Sequence, residues 1–424
     1  MRTVFAFFAA RRYWTDETML KNAYTELSKQ VASLSDECYL ITDEEGLAQL
    51  KPAANDVLVV VPMSGAVQIL ILSAAKRYSC VAIYAGYIKG NASAAITERM
   101  LMYNAAPTVM DSWGVLRRDH SRTLLALDSD QLEKVLRVFK AWDYIHGSKV
   151  ILVGEMEPWV ISPSRDMSYY TERLGITIEK VPQQEVADLY RSMPDSEGLK
   201  YYNKYKTNAT KIAEPTDEDI KNASRMAAAL EKTMENHNAS GMAIACFNLL
   251  SVGTNACLGV SYINDCTDKI AACEGDMDSL CTMMIMKKLT SARLWMANPG
   301  LHPDGTINFS HCTAPLNANG LGDCPFSLRS HHESGIGVSL QVDFPIGQRI
   351  TACRISDNAS KMTIHSGMSV PGEYETCCRT QCYVKLDDYQ HYLNTVLGCH
   401  QVIAFEDITE ELKMEASLLG LEVL

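Results

Sequence analysis

The chain has 424 residues, of which 47% are hydrophobic and 21% are charged, and its formal net charge is −12. This is the composition of a globular protein large enough for two or three domains, and the acidic balance argues against a nucleic-acid partner or an anionic-membrane surface. No apolar run reaches the ~18 residues that a membrane helix needs, and no segment has the pattern of a secretory signal. We therefore expect a cytoplasmic protein whose fourteen cysteines are reduced.

The first third of the chain alternates short apolar runs with amphipathic segments. Four of the apolar runs are typical of buried strands: "TVFAFFA", "CYLIT", "DVLVVVP" and "CVAIYAG". Continuous apolar strands that are separated by helical segments indicate a parallel sheet covered on both faces. We therefore predict a doubly wound, Rossmann-like α/β domain over residues 1–147.

A short loop, "PMSGA", follows the third of these strands. In a doubly wound sheet such loops lie at the carboxyl edge of the strands, where ligands bind. Ser64 in this loop is therefore a candidate substrate-binding residue. The alternative interpretation is a plain turn.

The same alternation starts again at Lys149 with the run "KVILVGE". Further helical and strand patterns follow it: "SYYTERLG", "ITIEKV" and "QEVADLYRSM". A long helix comes next, for which Thr216 is the predicted N-cap. These elements predict a second doubly wound α/β domain over residues 148–308, which contains Glu274 and Asn298.

After this domain the sequence changes to alternating apolar and polar residues with Gly, Pro and Asn between them, as in "SLRSHHESGIGVSLQV". Such alternation is typical of antiparallel strands. We predict an antiparallel, β-barrel-like domain over residues 309–424. It contains His400 and closes with an amphipathic helix that ends at Gly420.

Four polar residues stand at the ends of apolar runs and are followed by small or turn residues. They are Glu274 in "AACEGDMDS", Asn298 in "WMANPG", His311 in "FSHCTAP" and His400 in "LGCHQVIAF". Taken singly, each has an ordinary explanation as a turn residue or a hydrogen-bonded core histidine. Their shared context is that of residues lining a pocket at a sheet edge. Asp276 and Asp278, by contrast, are expected at a turn or a helix start, where negative charge is favourable.

A carboxylate combined with neutral imidazoles suits Mn²⁺ or another divalent ion such as Co²⁺ or Mg²⁺. Such an ion can bind two adjacent oxygens of a polyol or hydroxy-carbonyl compound and polarise the carbonyl group. A nearby carboxylate can then move a proton between neighbouring carbons. The predicted cofactor is therefore a divalent metal ion, with Mn²⁺ as the first choice.

At these residues the chain resembles the L-fucose isomerase and L-arabinose isomerase superfamily of metal-dependent aldose–ketose isomerases. Glu274 matches the first acid of that family, and His400 matches its metal-ligating histidine near the C-terminus. His311 lies where the arabinose-type enzymes carry a histidine near the metal. The resemblance implies that Glu274 is a metal ligand and acid/base, that His400 is a metal ligand, and that His311 binds substrate or supports the metal.

The family has a second acid about two dozen residues after the first, and this chain has Asn298 there. An amide oxygen can coordinate a hard cation, but an amide cannot act as a base. We expect Asn298 to bind the metal or a substrate oxygen in the catalytic site. For the missing acid, the alternatives are that Glu274 carries the proton transfer, that Asp304 or Glu333 replaces the acid, or that catalysis is weak or absent.

The resemblance also implies a homo-oligomer, hexameric or trimer-based, in which the N-terminal domain of a neighbouring subunit completes the active site. The loop "PMSGA" or the segment "DSWGVLRRDHSR" of another copy would then face the pocket. That segment carries a basic cluster that is unusual in an acidic chain: Arg117, Arg118, His120 and Arg122. The cluster is either a solvated charged turn or a reader of an anionic group on the sugar, with Arg117 and Arg118 as substrate-binding residues.

The sequence thus leads to the hypothesis of an aldose–ketose isomerase in carbohydrate metabolism. It would act on a free or anionic sugar through a cis-enediol and move a proton between C1 and C2. One alternative is an isomerase specific for a sulfonated sugar, such as sulfoquinovose converted to sulfofructose. Another is a non-catalytic sugar-binding or regulatory protein of the same fold, which the asparagine at position 298 favours.

Overall fold

A computed structural model describes residues 1–86, 93–119 and 122–424. The chain divides into two compact units, Met1–Asp143 and Tyr144–Leu424. In the described ranges, no helix is long and apolar enough to cross a membrane. All fourteen cysteines are free thiols.

The first unit contains a five-stranded parallel sheet in the order β2-β1-β3-β4-β5. Its strands are β1 (Thr3–Phe8), β2 (Glu37–Ile41), β3 (Val57–Pro62), β4 (Cys80–Tyr84) and β5 (Thr123–Ala126). The helices that begin in this unit are α1 (Glu17–Gln30), α2 (Glu44–Ala48), α3 (Gln68–Ala75), α4 (Ala94–Met102), α5 (Ala105–Asp119) and α6 (Ser129–Ile145). Every residue of β1, β3 and β4 is buried, as their continuous apolar sequences predict.

The second unit begins with a four-stranded parallel sheet in the order β10-β9-β6-β7. These strands are β6 (Lys149–Val153), β7 (Thr177–Val181), β9 (Gly241–Ile244) and β10 (Ile270–Ala272). The helices of this unit are α7 (Ser168–Leu174), α8 (Gln183–Ser192), α9 (Asp195–Asn208), α10 (Asp217–Asn236), α11 (Cys257–Cys266), α12 (Met277–Met286), α13 (Tyr389–Thr395) and α14 (Thr409–Leu419), with a 3-10 helix at Asn248–Val252. Thr216 caps α10 in a capping box with Asp219, which confirms the predicted helix start.

A larger sheet, antiparallel except at one edge, follows in the second unit. Its strands are β11 (Trp295–Leu301), β12 (Thr306–His311), β15 (Arg349–Ser356), β16 (Lys361–Val370), β17 (Thr380–Leu386), β18 (Gln401–Ala404) and β19 (Glu422–Val423). They lie in the order β15-β18-β11-β12-β17-β16-β19, and β15 also pairs with β16. Only β19 joins as a parallel partner. A small separate sheet, β14-β13-β8, consists of β8 (Lys211–Ile212), β13 (Phe326–Arg329) and β14 (Ser339–Val342).

A buried apolar cluster joins this antiparallel sheet to the helices of the second unit. Helices α9, α10 and α11 contribute residues such as Tyr205, Ala227 and Leu258, and β11 and β12 contribute Trp295 and Phe309. All of these side chains are almost fully buried. The strands that carry the candidate site residues are therefore held on a rigid apolar base.

The predicted mixed α/β class, with parallel sheets before an antiparallel one, is confirmed. The doubly wound form of the two α/β domains and the barrel-like form of the last domain stay predictions, as does the division into three domains. The predicted boundary after residue 308 falls inside β12, which pairs with β11 on one side and β17 on the other. Residues on both sides of that boundary therefore belong to one sheet.

Candidate metal centre

Glu274 lies in the turn that connects β10 to α12. Its φ is +58° and that of Gly275 is +66°, so two consecutive residues adopt the left-handed conformation. For a residue with a side chain this conformation costs roughly 1–2 kcal/mol, and such strain concentrates at functional sites. The carbonyl of Glu274 accepts a hydrogen bond from the amide of Glu157 at 3.1 Å, and the amide of Gly275 donates to the carbonyl of Ile244 at 2.9 Å. The neighbouring backbone thus holds the turn in place.

The turn brings Glu274 to two buried histidines. His311 is the last residue of β12, and His400 directly precedes β18. β12 and β18 are the two neighbours of β11, in which Asn298 pairs with Ser310 and Ala297 pairs with Gln401. His311 and His400 are the residues next to these two partners, so the register brings them together on either side of β11. Oε1 of Glu274 is 3.7 Å from Nε2 of His311 and 3.4 Å from Nε2 of His400.

These three side chains form a cluster that could hold a metal ion, with one ligand atom from each lying within 4.8 Å of the others. The structure confirms that Glu274 and His400 belong to a group of side chains that could bind a divalent metal ion. His311, which the sequence favoured as a substrate-binding residue, lies in the same cluster. The identity of the metal stays a prediction.

Both histidines use their other ring nitrogen elsewhere. Nδ1 of His400 donates to Oδ2 of Asp276 at 2.8 Å, and Nδ1 of His311 shares a hydrogen bond with Oγ1 of Thr313 at 2.8 Å. These contacts leave Nε2 of each ring directed toward Glu274. A partner at the second nitrogen is what orients a metal-ligating imidazole.

The charges of the cluster stabilise one another. Burial opposes the charged form of His400, but its hydrogen bonds with Asp276 and Glu274 outweigh this effect and raise its pKa to about 9. Burial likewise opposes the charge on Glu274, whose pKa the two histidines nevertheless hold well below its usual value. The carboxylates of the site therefore already stabilise one positive charge, the proton on His400. A metal cation bound between the three side chains would take the place of that proton.

A buried ionic network lies behind His400. Arg354, whose side chain is 1% exposed, donates to Oδ2 of Asp276 at 3.1 Å, to Oδ2 of Asp278 at 3.3 Å and to the carbonyl of His400 at 2.8 Å. Asp276 is also the N-cap of α12, where it accepts from the amide of Ser279 at 2.9 Å, as expected for a helix start. Burial raises the pKa of Asp278 to about 6, although Arg354 opposes this.

The role of Arg354 was not predicted from the sequence. A signal was present, since this arginine is the only charged residue between Ile350 and Ile355 in an otherwise buried strand. A charge in such a position needs a partner. Which partner it has depends on the tertiary structure.

The cluster lies at the wall of a cavity of about 860 Å³. The cavity is lined by Trp159, Val160, Ile161, Ser162, Phe247, Glu274, Asn298, Glu333, Val396, Leu397, Gly398, Cys399 and His400. The ring nitrogen of Trp159 donates to Oε2 of Glu274 at 2.8 Å, and its ring packs edge-on against Phe247 with centroids 4.9 Å apart. A volume of this size suits a small organic ligand.

Asn298 lies on β11 and lines the same cavity, which agrees with its predicted place in a pocket. Its Oδ1 accepts a hydrogen bond from the thiol of Cys399 at 3.3 Å. The amide NH₂ group and the second lone pair of Oδ1 are therefore left for a ligand. Direct coordination of a metal by Asn298 stays a prediction.

The other predicted substrate-binding residues lie in the first unit. Ser64 follows β3 as expected, but its hydroxyl is buried, where it accepts from the amide of Ala10 at 2.8 Å and donates to the carbonyl of Gly65 at 3.0 Å. These contacts give Ser64 a local structural role that joins the loops after β1 and β3.

The two candidate arginines lie at the end of α5. Arg117 stacks over the ring of Trp113 at 6.0 Å, and Arg118 forms an exposed ion pair with Asp119 at 2.8 Å. His120 lies outside the described residues. Nearby, Arg122 donates to the carbonyl of Ser79 at 2.9 Å.

Comparison with known proteins does not assign the chain to a family. No protein-family model matches the chain, and no curated protein matches it significantly.

Proposed function

We propose that the protein is a metal-dependent aldose–ketose isomerase of carbohydrate metabolism, which interconverts a sugar and its ketose through a cis-enediol. The observation that carries this proposal is the Glu274–His311–His400 cluster at the wall of a ligand-sized cavity. The resemblance to the fucose and arabinose isomerases supports it from the sequence. The same resemblance supports a homo-oligomer with active sites completed by neighbouring subunits.

The donor set fits a divalent ion such as Mn²⁺. One carboxylate and two imidazoles are ligands that Mn²⁺ accepts, and each imidazole has its second nitrogen occupied by Asp276 or Thr313. Glu274, His311 and His400 would hold the ion, which when bound would act as a Lewis acid on the carbonyl group of the sugar. The protein residues then bind and orient the substrate.

The cavity wall provides the remaining functions. The rings of Trp159 and Phe247 form an apolar wall against which the C–H face of a sugar can pack. The amide NH₂ of Asn298 can donate to a sugar oxygen, while its carbonyl oxygen accepts from Cys399. Trp159 keeps the carboxylate of Glu274 turned toward the histidines.

The charge of the cavity favours a neutral sugar over an anionic one. Among the described residues that line it, none is a lysine or an arginine. Recognition of a sulfonate or phosphate usually requires such a group. A sulfonated sugar would therefore need basic residues from another copy of the chain.

The proposal is tested by stripping the purified protein with a chelator and titrating Mn²⁺, Co²⁺ and Mg²⁺ by calorimetry. At a metal concentration 100 times Kd, the free energy of unfolding should rise by about 2.7 kcal/mol. The metal-loaded protein is then screened for ketose formation from neutral aldoses, with sulfoquinovose as the anionic comparison.

Glu274→Gln should lose metal binding and turnover while it stays folded. The matched control is Glu172→Gln, which changes an exposed glutamate of α7. Metal-dependent sugar binding without any ketose would favour the non-catalytic alternative. Absence of both metal binding and ketose formation would overturn the proposal.

A further inference from the structure

The cavity beside the metal cluster contains a second carboxylate. Of the residues that line it, only Glu274 and Glu333 are acidic among those the structure describes. Glu333 lies in the loop between β13 and β14, and it is exposed. Within the described ranges, its side chain accepts no hydrogen bond. This carboxylate is therefore free to contact a ligand.

Glu274, by contrast, has both oxygens engaged. Oε2 accepts from the ring nitrogen of Trp159 at 2.8 Å, and Oε1 faces the two histidines. A carboxylate held in this way is suited to binding an ion and poorly placed to carry a proton between two carbons of a substrate. The site therefore needs another proton carrier, since Asn298 cannot act as a base.

The loop that carries Glu333 is anchored at its base. The amide of Gly335 donates to the carbonyl of His331 at 2.9 Å, and Nδ2 of Asn255 donates to the carbonyl of Ile336 at 2.8 Å. Gly337 has a φ of +66°, and a Cβ there would lie 2.8 Å from the backbone of Asn255. Only glycine allows this close approach, which fixes the end of the loop.

A series of ring contacts ties the same loop to Glu274. The ring of His331 packs edge-on against Phe247 at 5.6 Å, and Phe247 packs against Trp159 at 4.9 Å. Trp159 in turn donates to Glu274. The loop that carries Glu333 therefore packs against the same wall of the cavity as Glu274, and Glu333 is exposed to the cavity from that loop.

Asp304, the other acid near Asn298 in sequence, has a different position. Its Oδ1 accepts from the amide of Thr306 at 2.9 Å and from the hydroxyl of Thr306 at 2.7 Å, in the turn before β12. It is absent from the described lining of the cavity. The hydrogen bonds by which Asp304 caps this turn account for its position without any catalytic role.

We propose that Glu333 is the acid/base that moves the proton between C1 and C2, an inference that rests on the proposed isomerase function. The carboxylate takes the proton from C2, the C–H electron pair becomes the C1=C2 double bond, and the carbonyl oxygen O1 takes up a proton to give the cis-enediol. The protonated Glu333 then returns its proton to C1 while the hydroxyl on C2 loses its proton and becomes the carbonyl. The net change moves one hydrogen from C2 to C1 and one from O2 to O1, so no oxidant or reductant is needed.

The test compares Glu333→Gln with the wild-type protein loaded with Mn²⁺. Loss of a general acid/base lowers a rate by about 10²- to 10⁴-fold, so kcat for ketose formation should fall by that factor. The dissociation constant for Mn²⁺ should stay within about twofold, because Glu333 is no ligand of the cluster. Added formate should restore part of the rate in Glu333→Ala, and Glu172→Gln is the control that should behave as wild type.

A second measurement does not depend on turnover. A four-carbon polyhydroxy hydroxamate, which mimics the enediolate, is titrated into the protein by calorimetry in buffers of different ionisation enthalpy. The number of protons exchanged with the buffer on binding should differ by about one between the wild type and Glu333→Gln if Glu333 changes its protonation state in the complex. An equal number in the two proteins would contradict the assignment.

The remaining outcomes separate the two proposals. Turnover of Glu333→Gln within about threefold of wild type would overturn the role of Glu333 and leave the isomerase intact. A loss of Mn²⁺ affinity as large as that of Glu274→Gln would make Glu333 a metal ligand and would also overturn its assignment as proton carrier. Absence of ketose with the wild-type protein would overturn the isomerase function and, with it, the role of Glu333.

Discussion

Asp276 holds His400 in a single orientation. Its Oδ2 accepts a hydrogen bond from Nδ1 of His400 at 2.8 Å, so that Nε2 of the ring lies 3.4 Å from Oε1 of Glu274. Both partners are buried, and Arg354 donates to the same oxygen of Asp276 at 3.1 Å. The candidate metal centre therefore depends on Asp276, although this carboxylate is not one of the three candidate metal ligands.

Asp276→Asn should weaken metal binding and leave the protein folded. Asparagine keeps the N-cap of α12 but removes the charge that fixes the His400 ring. Loss of such a supporting contact lowers metal affinity by about 10- to 100-fold, which calorimetric titration with Mn²⁺ would measure. The matched control is Asp388→Asn, an exposed N-cap of α13 that accepts from the amide of His391 at 2.8 Å. Unchanged affinity in Asp276→Asn would contradict this view of the site.

Arg354→Met should strongly destabilise the protein, because Asp278 would be left buried without a cation and Asp276 would keep only His400. Breaking a buried ion pair in this way costs about 3–5 kcal/mol. The control is Arg349→Met on the same strand, where the arginine is 38% exposed and pairs with Asp387 at 2.7 Å. That change should cost less than about 1 kcal/mol. Urea unfolding of both variants gives the comparison, and similar losses would contradict it.

Gly275→Ala should disturb the turn that presents Glu274. A Cβ at this position would lie 2.8 Å from the Cα of Met156, in addition to the strain of a φ of +66°. Gly420→Ala is a control with nearly the same φ, +67°, and with no atom within 4 Å of the added Cβ. The control should lose about 1–2 kcal/mol from strain alone. We expect Gly275→Ala to lose more and also to bind Mn²⁺ less tightly. Unfolding curves and metal titrations test both effects, and equal losses with normal metal binding would contradict the assignment.

His237 should stabilise the second unit most in mildly acidic solution. Its Nε2 contacts Glu185 at 2.9 Å and its Nδ1 contacts Glu179 at 3.0 Å. The hydrogen bond with Glu185 is the main cause that raises the pKa of His237, with partial burial opposing it and Glu179 adding to it.

Because this pKa is higher in the folded state than in the unfolded state, the stabilisation is fully present below the ordinary histidine pKa of about 6.5. It is lost as the pH rises through the folded value. The stability difference between wild type and His237→Gln, up to about 1 kcal/mol for such a partly exposed contact, should therefore be larger at pH 6 than at pH 9. Urea unfolding of both proteins at the two pH values measures this stability difference. A difference that is larger at pH 9 than at pH 6 would contradict the prediction.

Local patterns in the sequence were sufficient for the elements and for the main site candidates. Continuous apolar runs correctly predicted the buried strands β1, β3 and β6, because strands covered on both faces need apolar residues at every position. Thr216, predicted as an N-cap, correctly located the start of α10. Glu274 and His311 were identified because each ends an apolar run, at or just after the end of a strand, and His400 was identified at the other end of a strand, directly before β18.

The contacts among these residues were decided by the tertiary structure. Asp276 and His400 are 124 residues apart in sequence, and they meet only because α12 packs near the end of β18. Likewise, no local pattern could show that Ser64 is buried in backbone hydrogen bonds, or that Glu333 lines the cavity whereas Asp304 caps a turn. The physical reason is that strand and helix periodicity is a property of neighbouring residues. Partners for buried charges, by contrast, depend on sheet order and packing, which bring together residues that are distant in the chain.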